Sequence, residues 1–243
     1  SGVKALRTLR AYMRNLLRLP ENIAAIAKMA GAGRKDYAIT PEDMAKALGA
    51  SALARSVSIV EAEMPAAVIF QEVTDFYAYC LGKVSPHGAC CEFGVYSGNS
   101  INSFADLMPG RIFDGFDSFR GLPEPWGGHA PQDFNRGGSP PVVRVNVRLH
   151  VGTFEQTLPA FVASIKGVAF LHVDCDLYAS TACIFSQIGH QLNPGCVVIF
   201  DEYFGYPSFE FHERKAFAEF LTSSGRRAEW FACCGQRAAC IIF

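Results

Sequence analysis

Leu6, Leu9, Met13, Leu16 and Leu17 recur at spacings of three and four with Arg and Lys between them, the pattern of an amphipathic helix over residues 4–30. Pro20 punctuates that run, and Gly31-Ala-Gly33 reads as a hinge. Thr40-Pro41-Glu42-Asp43 places an N-cap residue before a proline and two acids, so a short helix should begin there. From residue 65 the period changes. A helix through Phe70–Leu81 leads to Gly82, and short apolar runs then alternate with helical stretches. Ala89–Tyr96, Arg111–Phe116, Val143–Val151, Val168–Cys175 and Cys196–Phe200 read as buried strands, with two more at Ala228–Cys233 and Ala238–Phe243. Strands alternating with helices predict an α/β fold with a mostly parallel sheet covered on both faces. The chain therefore divides into an N-terminal helical extension, residues 1–64, and a sheet domain, residues 65–243. The extension reads as a packing or dimerisation element, which would support a homo-oligomer, or as a contributor to a substrate pocket.

Composition narrows the classes. With 243 residues, half of them hydrophobic, the chain can bury a substantial core. A formal net charge of −1 gives no basic excess for nucleic acid and no charge-based case for an anionic membrane surface. No apolar run approaches the roughly 18 residues of a spanning helix, and no stretch reads as a signal peptide. The nine cysteines include no C-x-x-C pair; they read as buried thiols in a reducing compartment such as the cytoplasm.

Ligands of such sheets sit beyond the carboxyl ends of the strands. At the first of these ends stands Glu92-Phe-Gly-Val-Tyr-Ser-Gly98, an E-x-G-x-x-x-G turn that lacks a Walker lysine. Gly94 and Gly98 let a ligand approach the backbone, and Glu92 suits a positive group; the alternative is a plain strand-to-helix turn. Asp117-Ser118 follows the second strand, where an acid can accept a ribose diol. Gly152-Thr153-Phe154 follows the third, and Phe154 reads either as core or as a face for adenine. Asp174 and Asp176 end the fourth strand and share a face; Asp201 and Glu202 end the fifth. If those strands are neighbours, the four acids converge and call for a cation, and oxygen-only ligands favour Mg²⁺, Mn²⁺ or Ca²⁺. His172 reads as a core histidine rather than a ligand. Gly121–Pro141, with Trp126, His129, Phe134 and Arg136, is too long for a simple connection and reads as a lid.

Cys91-Glu-Phe-Gly-Val-Tyr-Ser-Gly98, Gly115-Phe-Asp117-Ser-Phe-Arg-Gly-Leu-Pro123-Glu124, His172-Val-Asp174-Cys-Asp176-Leu-Tyr178 and Phe200-Asp201-Glu202-Tyr203 together resemble the macrocin and novobiocin type of sugar O-methyltransferases. The resemblance covers about residues 65–243. It implies a Rossmann-like class I methyltransferase fold with a seven-stranded sheet, and a metal-dependent transfer of a methyl group from S-adenosylmethionine to a hydroxyl of a small molecule. That acceptor would be a sugar of a glycosylated natural product. By resemblance, Glu92, Gly94, Val95, Tyr96, Gly98 and Ser100 hold the methionine part of the cofactor. Asp117 and Ser118 bind its ribose, with Thr153 and Phe154 beside the adenine. Asp174, Asp201 and Glu202 hold Mg²⁺ or another divalent cation, and Asp176 is the general base. Family members usually carry Asp-Asp where this chain has Asp201-Glu202, which makes Glu202 the least secure ligand. Three other readings remain open here: a catechol-type phenol O-methyltransferase, a metal-dependent glycosyltransferase in which Asp174-Cys-Asp176 is the D-x-D element, and a non-catalytic, degenerate methyltransferase fold serving as an oligomerisation partner.

Overall fold

The computed structural model describes residues 39–243. The expected helix over residues 4–30, the hinge after it and any oligomer contact through them lie outside the described residues. Helix α1, Pro41–Glu63, begins where the sequence places it. The Thr40 hydroxyl accepts from the Asp43 amide at 3.1 Å, and the Asp43 carboxylate accepts from the Thr40 amide at 3.1 Å, a reciprocal capping box. The helix is not short: it runs for 23 residues, with Ala, Leu and Lys carrying it past Gly49. Only Ala52 and Ser56 on it are buried. Ser56 Oγ accepts from the Gly205 amide at 2.9 Å, and Glu63 pairs with Arg214 at 2.6 Å.

The sheet that follows has eight strands: β1 Val68–Phe70, β2 Ala89–Phe93, β3 Phe113–Asp117, β4 Val147–Val151, β5 Val168–Val173, β6 Leu192–Phe200, β7 Ala228–Cys234 and β8 Arg237–Ile242. Their order is β1-β7-β8-β6-β5-β2-β3-β4. Only β8 runs antiparallel to its neighbours, as the partner of both β6 and β7. The eighth strand corrects the expected seven: Val68–Phe70 pairs in parallel with Ala232–Cys234 at the sheet edge. Three residues give too little alternation to be told from the helix behind them, α2, which starts at Val73 rather than Phe70 and ends at Leu81.

Period-two alternation divides the core between the two faces. Leu171, Val173, Val198 and Phe200 meet α4, Phe154–Ser164, α5, Tyr178–Ile188, and α6, Glu213–Ser224. Phe170, Val197 and Ile199 meet α2 and α3, Asn99–Leu107, through Phe76, Tyr77, Ile101 and Phe104. Every residue of β5 is buried, as a central strand covered on both sides requires. Among the described residues no helix is long and apolar enough to cross a membrane.

The ends of the central strands are tied edge to edge. The Asp174 amide donates to Phe93 O at 2.8 Å and the Asp201 amide to Val173 O at 2.9 Å. Gly94, at φ +90°, lies so close to the end of β5 that a Cβ there would stand 1.7 Å from Asp174 O. Gly94→Ala combines that collision with an unfavourable backbone angle, so it should cost at least about 2 kcal/mol and lower Tm by several degrees. Thermal unfolding checks this; an unchanged Tm would mean that the two strand ends can part freely.

Candidate active site

The strand ends open into one cavity of about 890 Å³. Of the residues singled out in the sequence, Gly94, Tyr96, Asp117, Ser118, Thr153, Phe154, Asp174, Asp176 and Glu202 line it. Val95 is core, at the foot of the same turn. Gly98 takes a left-handed conformation at φ +81° to start α3, and its amide closes the turn onto Val95 O at 2.8 Å. Glu92 and Ser100 stand behind the turn: Glu92 is fully buried, and the Ser100 hydroxyl donates to it at 2.8 Å.

Asp117 has a second task that its position alone did not reveal. Its Oδ2 accepts the Val95 and Tyr96 amides at 2.9 and 2.8 Å, and its Oδ1 accepts the Phe119 amide at 2.7 Å. A carboxylate offers about four acceptor sites, so Asp117 braces the glycine turn and keeps about one site free for a ligand.

The acids divide into an outer and an inner row. Asp174, Asp176 and Glu202 each bring one carboxylate oxygen to within 4.8 Å of the others at the cavity wall. Gln236 donates to Glu202 Oε1 at 3.1 Å, while Glu202 Oε2 is buried without a partner. Behind them Asp201 is held by the Arg237 guanidinium through two hydrogen bonds of 2.6 and 2.8 Å. Tyr77 donates to it at 3.3 Å. His172, fully buried, lies between Asp201 and Glu92 at 3.6 and 3.5 Å. It is the core histidine the sequence suggests, and its surroundings are ionic. One oxygen of Asp174 also lies within reach of the His172 and Asp201 group, so Asp174 joins the rows.

Burial and mutual repulsion shape their ionisation. Burial, then Asp201, pushes the Asp176 carboxyl up to about 7. Burial, then Asp174, raises Glu202 well above the carboxylate range, and burial, then Asp201, does the same for Asp174. Burial opposes the charge on Asp201 as well, but His172 and Arg237 outweigh it and hold Asp201 below its ordinary range. Burial likewise opposes the charge on His172, yet Asp201 and Glu92 raise it to about 10. Sequence reasoning missed Arg237, Gln236 and Tyr77. They come from the first residue of β8, the turn before it and α2, and no spacing ties them to the acids. It missed Glu213 too, a fully buried acid at the start of α6 whose carboxyl burial raises to about 8.

The lid is ordered. The Leu122 amide donates to Asp133 O at 3.0 Å and the Gln132 amide to Leu122 O at 2.8 Å. Trp126 stacks on His129, with ring centroids 5.7 Å apart, and meets Tyr206 edge-on at 5.2 Å. Phe134 meets Tyr96 at 5.4 Å. Trp126, His129 and Phe134 thus give the cavity an aromatic wall.

The acids also make stability depend on pH. Asp176 and Glu213 hold protons in the folded chain that the unfolded chain releases in the ordinary carboxylate range. Stability therefore falls as pH rises toward about 7 and 8, their folded values. His172 acts in the same direction: its contribution is complete below its unfolded value and lost as pH climbs toward about 10. Protein treated with chelator should melt at a lower temperature at pH ~8 than at pH ~5.5. A flat or opposite trend would show that these groups are not perturbed in this way.

A family model for a methyltransferase domain matches residues 91–203. No curated protein matches the chain. Among solved structures, the calicheamicin methyltransferase CalS11 is similar at 20% identity and TM-score 0.54, over 92% of this chain and 93% of its own. The O-methyltransferase NovP is similar at 21% identity and TM-score 0.53, over 69% and 78%. A putative caffeoyl-CoA O-methyltransferase from Staphylococcus aureus is similar at 12% identity and TM-score 0.51, over 78% and 90%. At these identities the likeness is one of fold. The domain match gives no support to the glycosyltransferase reading. Residues 91–203 thus resemble a methyltransferase domain, and the expected methyltransferase-like α/β fold is borne out.

Proposed function

We propose that this protein is an S-adenosylmethionine-dependent O-methyltransferase that uses a divalent cation, Mg²⁺ by preference, and acts on a sugar hydroxyl of a small molecule. The observation that carries the reading is the meeting, in one cavity, of the glycine turn at Gly94 with the oxygens of Asp174, Asp176 and Glu202. The donor set fits a hard cation: all three are carboxylates, and the buried Glu202 Oε2 has no protein partner. Asp174 and Glu202 would hold the ion. Asp201, expected beside them, stands in the inner row with Arg237 on both its oxygens and about one acceptor site left for the ion. A bound Mg²⁺ supplies Lewis acidity toward the acceptor hydroxyl. NovP is described as an O-methyltransferase, which supports an oxygen acceptor, and CalS11 as a TDP-rhamnose 3'-O-methyltransferase, which supports a sugar.

In this reading the turn after Gly94 and the free acceptor capacity of Asp117 seat the methyl donor, with Ser118, Thr153 and Phe154 on the same wall. Asp176 takes the proton of the acceptor hydroxyl as that oxygen accepts the methyl group. Burial raises its carboxyl, and a cation bound beside it would favour the ionised form that accepts the proton. The lid closes over the acceptor and excludes water. The aromatic wall also suits a flat phenol, the second reading, and initial rates on glycosides against catechols separate the two. The nine free thiols fit a reducing compartment such as the cytoplasm.

Asp176→Asn should lower kcat by at least about 10²-fold while calorimetry shows S-adenosylhomocysteine binding near wild type. Full turnover in that variant would remove Asp176 from the base role. Chelation with EDTA should abolish activity and added Mg²⁺ restore it, with Glu202→Gln raising the Mg²⁺ needed for half-maximal rate by about tenfold or more. Activity that survives exhaustive chelation would end the metal reading.

A further inference from the structure

The segment between β5 and α5 carries Asp174 and Asp176, yet neither flanking element supplies acceptors for its middle amides. Cys175 N and Asp176 N both donate to a single atom, Glu213 Oε1, at 3.4 and 3.3 Å. Asp176 holds a left-handed backbone at φ +66°, a conformation uncommon for a residue with a Cβ, although Asp tolerates it better than most. Glu213 is the first residue of α6 and has no solvent-accessible surface, while its Oε2 has no partner. An apolar side chain would fill this place without the penalty of burying a carboxyl group. What a carboxyl offers here, and an apolar group does not, is one acceptor for two consecutive amides.

We propose that Glu213 is a positioning residue: by accepting the Cys175 and Asp176 amides it locks the left-handed turn that aims the Asp176 carboxylate at Asp174 and Glu202. It acts through Asp176 and does not itself line the cavity. The proposal rests on the reading of Asp174, Asp176 and Glu202 as the reacting cluster. Without the acceptor the two amides lose their partner, Asp176 relaxes toward an ordinary backbone angle, and its oxygen leaves the cluster.

The test compares three variants of the full chain with wild type: Glu213→Gln, which keeps an acceptor oxygen of the same reach, Glu213→Leu, which keeps the bulk without it, and Glu213→Asp, which shortens the reach. Backbone hydrogen exchange reads the Cys175 and Asp176 amides directly. Mn²⁺ titration followed by electron paramagnetic resonance reads the cluster, and calorimetry with S-adenosylhomocysteine serves as a control. Glu213→Leu and Glu213→Asp should speed exchange at those two amides by about tenfold or more and weaken Mn²⁺ binding by a similar factor, with the β5 amides and S-adenosylhomocysteine binding unchanged. Glu213→Gln should restore both to within about threefold of wild type. The proposal is overturned if Glu213→Leu leaves exchange at both amides unchanged, or if Glu213→Gln is as impaired as Glu213→Leu. If Glu213→Leu does not fold, Glu213→Asp against Glu213→Gln decides in the same way. A wild type that binds no Mn²⁺ overturns the metal reading instead, because the amide exchange stands or falls separately.

Discussion

The site depends on the absence of one side chain. At Gly94 the backbone of the first turn lies directly against the carbonyl of Asp174, nearer than any Cβ would permit. This contact brings the carboxyl end of β2, where a donor molecule would rest, against the carboxyl end of β5, where the acids begin. The sheet brings two adjacent strands to about 4.8 Å. Only glycine lets their loops remain that close after the ladder ends. Had the turn bulged outward, the acids and the donor pocket would be separate features on one rim.

Electrostatics organise the second layer. Five buried acids, Glu92, Asp176, Asp201, Glu202 and Glu213, and the half-buried Asp174 share the core of the site with two cationic side chains, His172 and Arg237. Both cations serve the inner row, so Asp201 stays ionised while the outer acids, facing the cavity, are pushed toward their neutral forms. The protein thus neutralises the charge it keeps permanently and leaves the remainder to be balanced by protons or by a visiting ion. An evenly distributed set of counter-charges would have filled the place where an ion can act.

Much of this was legible in the residue order, and the part that was not has a physical cause. Strand ends are local: Glu92, Asp117, Asp174 and Asp201 each follow an apolar run, and a parallel sheet gathers such ends on one rim, so the cavity lining could be anticipated from alternation alone. The short edge strand Val68–Phe70 could not, because three residues carry no period. Nor could the partners of the acids. Arg237 and Gln236 arrive from the start of β8 and the turn before it, far along the chain, and Tyr77 comes from a helix packed on the sheet. Asp117 was foreseen as a ligand group, but its grip on three backbone amides depends on the shape of the turn rather than on its content.

Strand β8 has a bearing on how the protein assembles. It enters between β6 and β7, which precede it in the chain, and it delivers Arg237 to Asp201 as its first residue pairs. Within the β2–β3–β5–β6 portion, the β2–β3 and β5–β6 pairs join strands closer in sequence than β6 and β8 are. Until the last strand inserts, that portion holds Asp201 with no guanidinium beside it and one flank of β6 unpaired. The insertion of β8 therefore does two things at once: it closes an open strand edge and quenches the charge of the acid beside it.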